Sequence, residues 1–564
     1  MTATRTKVLV VGGYGTFGGR LVKLLLNEPR LTLVVAGRSH ESASRFCRDA
    51  GAAAAELVPA RFDREGDLDA QLATIAPNIV VDATGPYQAY GDAPYRLVEA
   101  AIRHGAHYLD LADGSDFVRG INAFDGEAKA RGVFVLSGVS SFPVLTAAVL
   151  REIARDMPQI EDVTAGIAPS PYAGVGLNVI RAIAGYAGQK AKLKREGQWT
   201  EGYALAETMR FTVSPPGRLP LHSTHFSLVD VPDLQLVSDL MPDIRTLWVG
   251  AGPVPAVLHR MLNMLAWLVR WRVIPSLSPF AGLFYRAINI LRWGEHRGGM
   301  FVCASGENGL GQQIEHSWHM LAEADDGPFI PSMAIEGIIR KLLDGETPLP
   351  GARPATDALS LADYENLFAA RDIHFGWRRS EPGDAEMPLY RRMLGDAWDD
   401  LPEPVKAMHD SRTSHRAEGF ASVERGRGFL SRLTGGLFRF PDNADDIPVS
   451  VTFEVGRNCE IWRRTFGRHS FSSTQYAGRG RSRWLICERF GLLTFGLALV
   501  FNEGRLHFVV RKWSLAGVPL PLFLAPASRS FESAEDGRFH FDVEISHRLT
   551  GLIVRYRGWL EPKP

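Results

Sequence analysis

The sequence predicts an α/β protein that begins with a doubly wound parallel sheet and continues into an α+β domain with a mixed sheet and a β-rich antiparallel domain. Three patterns predict this order. Residues 1–142 alternate short apolar runs with amphipathic stretches, residues 143–384 contain strand-like runs interrupted by helices, and residues 385–564 alternate apolar and polar side chains with period two. A chain of 564 residues also suggests three domains at roughly 150 residues each.

The charge balance argues against a general polyanion binder. The chain has 63 basic and 63 acidic residues, so its formal net charge is zero, and 45% hydrophobic residues is an ordinary globular composition. We therefore expect no nucleic-acid partner.

The cysteines and the N-terminus indicate a cytoplasmic protein. Cys47, Cys303, Cys459 and Cys487 lie far apart and form no metal-ligand spacing, which favours reduced thiols and predicts no metal site. The chain enters its first strand almost at once, which leaves no room for an export signal.

A glycine-rich turn follows the first apolar run, 8–11, and precedes a segment with apolar residues at helical spacing. Gly13, Gly15 and Gly18 fill the pattern G-x-G-x-x-G, which in this context allows a tight turn, close approach of a pyrophosphate and close helix–strand packing. The pattern predicts a Rossmann-type dinucleotide site in which Tyr14, Thr16 and Phe17 line the loop. The alternative is a purely structural glycine turn.

Arg38 predicts which dinucleotide binds. A fold that selects NAD places a carboxylate about 20 residues after the last glycine, where it bonds the ribose 2′-hydroxyl. Here that position holds Arg38, whose guanidinium suits a 2′-phosphate, and Ser39 adds a donor. NADP is therefore favoured over NAD. The alternative is that Arg38 simply ends a strand in solvent.

The alternation of strands and helices continues and predicts six parallel strands that complete the sheet. Ligands of such sheets lie at the carboxyl ends of the strands. Asp63 follows the third strand, where adenine contacts are frequent, and Thr84, Gly85 and Pro86 follow the fourth, where we expect the nicotinamide. The later strands are predicted at 55–60, 79–81, 107–110 and 133–136.

Five motifs in this region carry a family resemblance. They are residues 13–18, 36–39, 83–87, 108–113 and 137–143. Together they resemble the saccharopine dehydrogenase-like reductases over about residues 1–378. The resemblance implies that the glycine loop and Arg38 bind NADP, that the Gly85–Pro86 turn and the turn 110–113 flank the nicotinamide, and that the second domain carries a substrate pocket and the contact of a homodimer.

A reductase also needs a proton donor near the nicotinamide. The groups expected there are Tyr87, Asp110, Asp113 and Ser141. The alternative for Asp110 and Asp113 is that they only cap turns. The sequence shows no zinc ligand set, no Tyr-x-x-x-Lys pair after the fourth strand and no spacing typical of a Ser-His-Asp triad.

The apolar stretch 256–293 is too interrupted by arginine and proline to cross a membrane. Its apolar residues share a helical face, with tryptophans nearby and arginines at the end. Two interpretations stay open. The stretch is either a core or subunit-contact helix, or a helix that makes peripheral contact with the inner face of the membrane.

The C-terminal segment is predicted to form an antiparallel sheet curled over a core. The stretches 389–395, 460–464, 488–491 and 556–560 resemble a domain of unknown function that bacterial proteins carry fused to saccharopine dehydrogenase-like or short-chain dehydrogenase-like proteins. This resemblance implies no activity.

Arginines cluster in this segment, and two interpretations are open. They form a solvated surface with Glu460 and Glu488, or, if the sheet encloses a cavity, they favour a ligand with an apolar tail and an acidic head. The cluster consists of Arg457, Arg463, Arg464, Arg468, Arg479, Arg481, Arg483 and Arg489.

These observations lead to two hypotheses about function. The first is an NADP-dependent oxidoreductase that acts on a carbonyl, imine or enoyl group of a small metabolite, lipid-linked metabolites included. The second is a non-catalytic protein that senses NADP or binds a lipid or membrane surface. The fold alone does not separate them.

Overall fold

The computed structural model describes residues 5–253 and 255–563, and they form two compact units. The first unit contains the described residues up to 209 together with 225–313 and 321–373. The second contains 210–224, 314–320 and the described residues from 374 onward. The glycine loop belongs to the first unit.

Strands and helices alternate in the first segment because each apolar run is followed by an amphipathic stretch. β1 is buried from Val8 to Val11, as expected of a central strand with helices on both faces. The elements are β1 Thr6–Val11, α1 Thr16–Leu25, β2 Leu31–Gly37, α2 His40–Asp49, β3 Glu56–Arg61, α3 Leu68–Ile75, β4 Ile79–Asp82, α4 Arg96–Arg103, β5 His107–Asp110, α5 Ser115–Gly120, α6 Asp125–Arg131 and β6 Phe134–Ser137.

The middle segment mixes strands and helices, as its composition predicts. Its elements are α7 Thr146–Asp156, β7 Gln159–Ala168, α8 Leu177–Tyr186, β8 Lys190–Arg195, β9 Gln198–Tyr203, β10 Thr208–Phe211, β11 Thr224–Leu228, α9 Asp233–Leu240, β12 Thr246–Ala251, α10 Ala256–Arg270, α11 Ala281–Ile290, β13 Gly298–Glu307, β14 Gln313–Ala322, α12 Ile330–Leu343, β15 Gly351–Pro354, α13 Leu361–Phe368 and β16 Ile373–Ser380.

The first sheet has seven strands in the order β15-β6-β5-β4-β1-β2-β3, and the strands pair in parallel. The order reverses between β1 and β4, so that loops from both halves meet at the carboxyl edge there. The expectation of six strands was wrong by one. β15 pairs with β6 from Gly351 opposite Phe134 to Pro354 opposite Ser137, and a strand of four residues with glycine and proline at its ends shows no alternation that a sequence pattern could reveal.

The second sheet is mixed, which confirms the expectation for the middle segment. Within the first unit, β7 pairs in parallel with β12 and antiparallel with β13, and β12 pairs antiparallel with β11. β8 and β9 form a separate hairpin.

The C-terminal segment is mostly antiparallel strand. Its elements are α14 Leu389–Leu394, α15 Glu403–His409, β17 His415–Arg425, α16 Phe429–Leu437, β18 Ala444–Val455, β19 Glu460–Phe466, β20 His469–Ala477, β21 Ile486–Phe490, β22 Leu493–Asn502, β23 Arg505–Leu515, β24 Val518–Leu520, β25 Ala527–Glu535, β26 Arg538–His547 and β27 Gly551–Lys563.

These strands close into a barrel. Their order is β22-β21-β20-β19-β18-β17-β27-β26-β25-β23-β24, and β22 also pairs with β23, which joins the two ends of the sheet. Buried residues such as Phe466, Ile486 and Val554 form its core. Of the clustered arginines, Arg464 lies inside with 12% of its side chain exposed and pairs with Glu488, whereas most of the others are exposed. Neither interpretation therefore holds for the whole cluster.

Candidate cofactor and catalytic site

The glycine loop lies between β1 and α1 and is tightly packed. Gly12 has a φ of 81°, and a Cβ atom on Gly13 would lie 2.8 Å from the carbonyl oxygen of Val10. A Cβ atom on Gly18, in the first turn of α1, would overlap the carbonyl oxygen of Gly12. Larger residues would push the helix away from the strand, and this explains the glycines at these positions.

The N-terminal end of α1 offers backbone donors to an anion. Its N-cap is Gly15, which has no side chain to accept a bond from the first turn, and Thr16 and Phe17 are half-buried there. The first turn contains no acidic residue. Backbone N–H groups without a helical partner therefore lie at the positive end of the helix dipole, next to the glycine loop. This arrangement fits a pyrophosphate.

Arg38 follows β2 and lies exposed at the carboxyl edge of the sheet, where it makes no hydrogen bond or ion pair with any described residue. Ser39 accepts the N–H of Ser42 at 3.2 Å and thereby caps α2, while its own N–H donates to the hydroxyl of Tyr14 at 3.1 Å. A guanidinium without a partner next to a serine hydroxyl suits a phosphate group. The glycine cradle, the uncapped helix end and Arg38 together fit NADP.

Asp63 lies in a turn just beyond β3. Its Oδ1 accepts the N–H of Glu65 at 3.1 Å, and its own N–H donates to Oε1 of Gln71 at 2.7 Å. The side chain is half-buried at the carboxyl edge. Its contact with adenine stays a prediction.

Asp82, the last residue of β4, anchors the turn that contains Thr84. Its fully buried carboxylate accepts the N–H of Thr84 at 3.0 Å and the hydroxyl at 2.5 Å. Nε of Arg64 lies 3.4 Å from the other carboxylate oxygen, and the hydroxyl of Tyr90 lies within 3.4 Å of both. The network holds the turn ahead of the cis peptide bond Gly85–Pro86. Sequence reasoning missed Asp82, Arg64 and Tyr90 because only tertiary packing brings them together.

Tyr87 connects two turns at this edge. Its buried hydroxyl donates to the carbonyl of Asp82 at 2.7 Å and accepts the N–H of Leu111 at 3.2 Å. Burial, reinforced by the nearby Asp82, raises the pKa of Tyr87 well above its usual range. Since its proton is already donated to the backbone, Tyr87 in this arrangement positions the turns after β4 and β5.

Asp110 is fully buried at the end of β5. Its Oδ1 accepts the N–H of Gly138 at 2.7 Å, the N–H of Ala112 at 3.0 Å and the hydroxyl of Ser137 at 3.0 Å. Burial raises its pKa to about 7. The carboxyl group therefore joins the turns after β5 and β6. Ser141 is also buried, in the helical turn that precedes α7.

Asp113 is half-buried, unlike the fully buried Asp82 and Asp110. It accepts Nε2–H of Gln88 at 3.2 Å, and burial raises its pKa. Tyr186, on α8, lies within electrostatic reach of Asp113 and Asp230, and burial together with these two acids raises its pKa. Asp230 accepts the hydroxyl of Ser115 at 3.1 Å, and burial raises its pKa as well.

Sequence reasoning singled out Asp113 and missed Tyr186, Asp230 and Gln88. No local signal marks these three residues, because they come from three segments that meet only in the folded chain.

α8 and the loop before it are tied to the nucleotide-binding elements. Nδ2 of Asn178 donates to the carbonyls of Thr84 and Gly85 at 3.1 and 3.0 Å. Arg20, on α1, donates to the carbonyl of Ala173 at 2.6 Å. These bonds place the start of α8 beside the turn that follows β4.

Two further properties bear on the site. The described residues contain no group of three or more histidine, cysteine and acidic side chains that could hold a metal ion. Among these same residues, no helix combines the length and the apolar character that crossing a membrane requires.

Comparison with family models identifies two parts of the chain. Residues 8–136 match the saccharopine dehydrogenase NADP binding domain, and residues 401–560 match a domain of unknown function (DUF4166). A curated relative, a lipid droplet localized protein of Caenorhabditis elegans, is 30% identical over 154 residues. That match covers 25% of this chain and 34% of the relative, so the chain spans about a third of the relative's length.

Solved structures also resemble the chain. Saccharopine dehydrogenase (L-Glu forming) from Saccharomyces cerevisiae is 14% identical with a TM-score of 0.47, and the match covers 66% of this chain and all of that one. Biliverdin reductase from Synechocystis, in complex with biliverdin and NADP+, is 12% identical with a TM-score of 0.28 over 61% and 92% of the two chains. By its matched domains, this chain joins a saccharopine dehydrogenase NADP-binding domain at 8–136 to a domain of unknown function at 401–560.

Proposed function

We propose that the protein is an NADP-dependent oxidoreductase that acts on a carbonyl, imine or enoyl group of a small metabolite. The observation that carries the proposal is the group formed by Asp113, Gln88, Tyr186 and Asp230, because it places half-buried acids beside turns at the carboxyl edge of the nucleotide-binding sheet. Perturbed titratable groups in such a place are typical of active sites.

Different residues of the cofactor site would bind different parts of NADP. The first turn of α1 would hold the pyrophosphate of NADP, and Arg38 and Ser39 would hold its 2′-phosphate. The Gly85–Pro86 turn would lie beside the nicotinamide. NADPH, when bound, supplies the hydride.

Asp113 is the proposed proton donor. Its raised pKa keeps a larger fraction of the carboxyl group protonated near neutral pH, so that the proton at one oxygen can pass to the substrate oxygen or nitrogen. Gln88 orients the carboxyl group by its bond to Oδ1. Tyr186 is proposed to contact the substrate from α8, and Tyr87 and Asp110 position the surrounding turns.

NADPH oxidation with a panel of keto, imine and enoyl substrates tests this proposal. We expect Asp113→Asn to lower kcat at least tenfold while NADPH affinity stays within twofold, and Tyr186→Phe to have a smaller effect. Asp116→Asn is a matched control, since that carboxylate is exposed. NADPH binding without oxidation by any substrate would instead support the non-catalytic, NADP-sensing alternative.

A specific observation favours a second function, association with a lipid surface through α10 and α11. The two helices direct apolar side chains outward, and α10 buries a polar face in which His259 and Asn263 bond to Ser227 at 2.7 and 2.8 Å. The exposed apolar residues are Val257, Met261, Met264, Trp271, Val273, Phe280, Leu283, Ile290, Leu291 and Trp293.

Charge points to the occupant of this surface. Residues 255–294 contain five arginines and no acidic residue, and tryptophans are frequent at membrane interfaces. We therefore propose an anionic lipid surface, from which a lipid-linked substrate could be taken. The name of the curated relative, a lipid droplet localized protein, also supports contact with a lipid surface.

Flotation with anionic and neutral vesicles tests the lipid surface. We expect the protein to float with anionic vesicles, and the double variant Met264→Ser/Trp271→Ser to stay at the bottom. Leu240→Ser is a suitable control, because Leu240 is exposed and lies outside the two helices. Val35→Ala is not suitable, because Val35 is buried. A dimer in light scattering that the double variant abolishes, without flotation, would assign the surface to the homodimer instead.

A further inference from the structure

The C-terminal barrel is incompletely closed along one seam. β23 and β25 pair at only two positions, Leu506 with Glu532 and His507 with Phe531. Beyond them β23 continues to Leu515 alongside β24, while the first residues of β25 pair only with β26. The two strands therefore separate toward one end of the barrel.

A cavity of about 190 Å³ lies inside the barrel next to this seam. Phe453, Phe495, Phe508 and Phe541 are among the predominantly apolar residues that line it. Phe508 and Phe541 are only half-buried although they line the interior. For scale, an engineered apolar cavity of about 150 Å³ stays dry and binds benzene. The barrel interior thus offers apolar surface that the chain itself does not cover.

The charged groups that line the cavity each have a partner: Arg464 pairs with Glu488, and Glu532 bonds to His409. Arg464 lies 3.1 Å from Glu488 and donates to Ser473 at 2.8 Å, and Glu488 also accepts the hydroxyl of Ser473 and the amide of Gln475. The pair is neutral as a whole and its bonds are made within the barrel. A charged group on a ligand would therefore gain little by entering, whereas an apolar chain would gain from the walls.

The two ends of the barrel differ. At one end α14 and α15 close the interior, since Tyr390 donates to Gln475 at 2.9 Å and His409 bonds to Glu532 at 2.7 Å. The strand register brings α16 and the turns after β21, β23 and β26 to the opposite end. Exposed apolar side chains crowd that end: Phe429, Leu430, Leu433, Leu437, Leu492, Leu515, Val518, Leu522, Phe523, Leu524 and Leu549.

We infer that the barrel binds a single long hydrocarbon chain, such as that of a fatty-acyl lipid, which enters past the apolar rim at the seam between β23 and β25. Its polar end stays at the rim. The inference depends on one observation: the exposed apolar rim continues into the apolar interior. A barrel with a purely structural role would be expected to cover both surfaces.

Fluorescence titration of the full-length protein with 11-(dansylamino)undecanoic acid tests the inference. Saturable binding is expected, with displacement by a fatty acid and by the fatty alcohol of equal length within about tenfold of each other, because the chain carries the affinity. Affinity should rise about fourfold for each added methylene until the chain fills the cavity.

Two variants locate the site. Ser530 lines the cavity at the seam, and Ser530→Trp should weaken the probe at least tenfold. Arg529, its exposed neighbour on β25, gives the matched control Arg529→Trp, which should change the affinity less than twofold. Val510→Phe, also in the lining, provides a milder variant if Ser530→Trp disturbs folding as judged by circular dichroism.

Several outcomes would overturn the inference: no saturable binding, equal affinity of wild type and both lining variants, or a signal that appears only with vesicles and reflects docking of the rim on a lipid surface. NADPH binding and oxidation are measured in the same samples. If the wild-type protein neither binds nor oxidises NADPH, the proposed oxidoreductase is refuted while the barrel site is unaffected. If it oxidises NADPH but does not bind the probe, the barrel site is refuted while the proposed oxidoreductase is unaffected.

Discussion

The hydroxyl of Tyr14 accepts the backbone N–H of Ser39 at 3.1 Å, and so the glycine loop and the turn that holds Arg38 are joined by one side chain. A Cβ atom on Gly37 would collide with the Tyr14 ring, which shows how closely the ring covers the end of β2. The two parts that would hold the pyrophosphate and the 2′-phosphate are thereby fixed relative to each other.

Tyr14→Phe tests this link. The variant keeps the ring but leaves the N–H of Ser39 without its acceptor, and a hydrogen bond of this kind contributes about 1 kcal/mol. We expect NADPH affinity to fall about fivefold, measured by quenching of protein fluorescence, with NADH affinity less affected. Tyr285→Phe on α11 serves as the control, and an equal loss there would show that the effect does not come from the link.

Arg38→Asp tests selectivity between the two dinucleotides. A carboxylate in this position would repel a 2′-phosphate and accept a bond from a 2′-hydroxyl, because the side chain is exposed and makes no hydrogen bond or ion pair with other described residues. We expect NADPH to weaken at least a hundredfold and NADH by less than tenfold, as measured by calorimetry. Equal losses would mean that Arg38 does not meet the 2′-phosphate.

From the sequence, roles could be proposed for those residues of the candidate site whose proposed function depends on local spacing. The glycines and Arg38 belong to one β-α-β unit, where each role follows from distance along the chain. Tyr186, Asp230 and Asp82 could not be found in this way, because their importance arises from burial and from neighbours distant in sequence. β15 was missed for the same reason.

The barrel shows the same limit. Period-two alternation predicted its strands, since one face of each packs against the core, as Val449 and Val451 do in β18 and Phe539 and Phe541 do in β26. Alternation does not reveal which strands pair when they are distant in sequence. It could therefore predict neither the pairing of β17 with β27 nor the separation of β23 from β25.

Asp110→Asn tests the buried carboxyl group that joins two turns. Burial raises the pKa of Asp110 to about 7 from an ordinary 3.8, so the native state holds this proton more tightly than the unfolded state does. Its contribution to stability is therefore complete below pH 4 and is lost as the pH rises through 7, an effect on the order of a few kcal/mol.

Hydrogen exchange of peptides within 107–139, compared at pH 5 and pH 8 after correction for intrinsic rates, measures this effect. Wild type should lose protection at pH 8, and the asparagine variant should not, because its side chain does not ionise. Protection that falls equally in both proteins would assign the pH dependence to other groups.

His259 predicts the opposite dependence on acid. It is buried on α10 against Ser227, and burial, reinforced by His225, lowers its pKa to about 4 from 6.5. The unfolded state therefore binds the proton first, and the stability from neutral His259 is present above pH 6.5 and is lost as the pH falls toward 4. The full loss amounts to about 3 kcal/mol. Exchange rates of peptides within 246–270 should rise over this range in wild type but much less in His259→Gln, whereas His40→Gln, a change at an exposed histidine, should leave the wild-type profile unaltered.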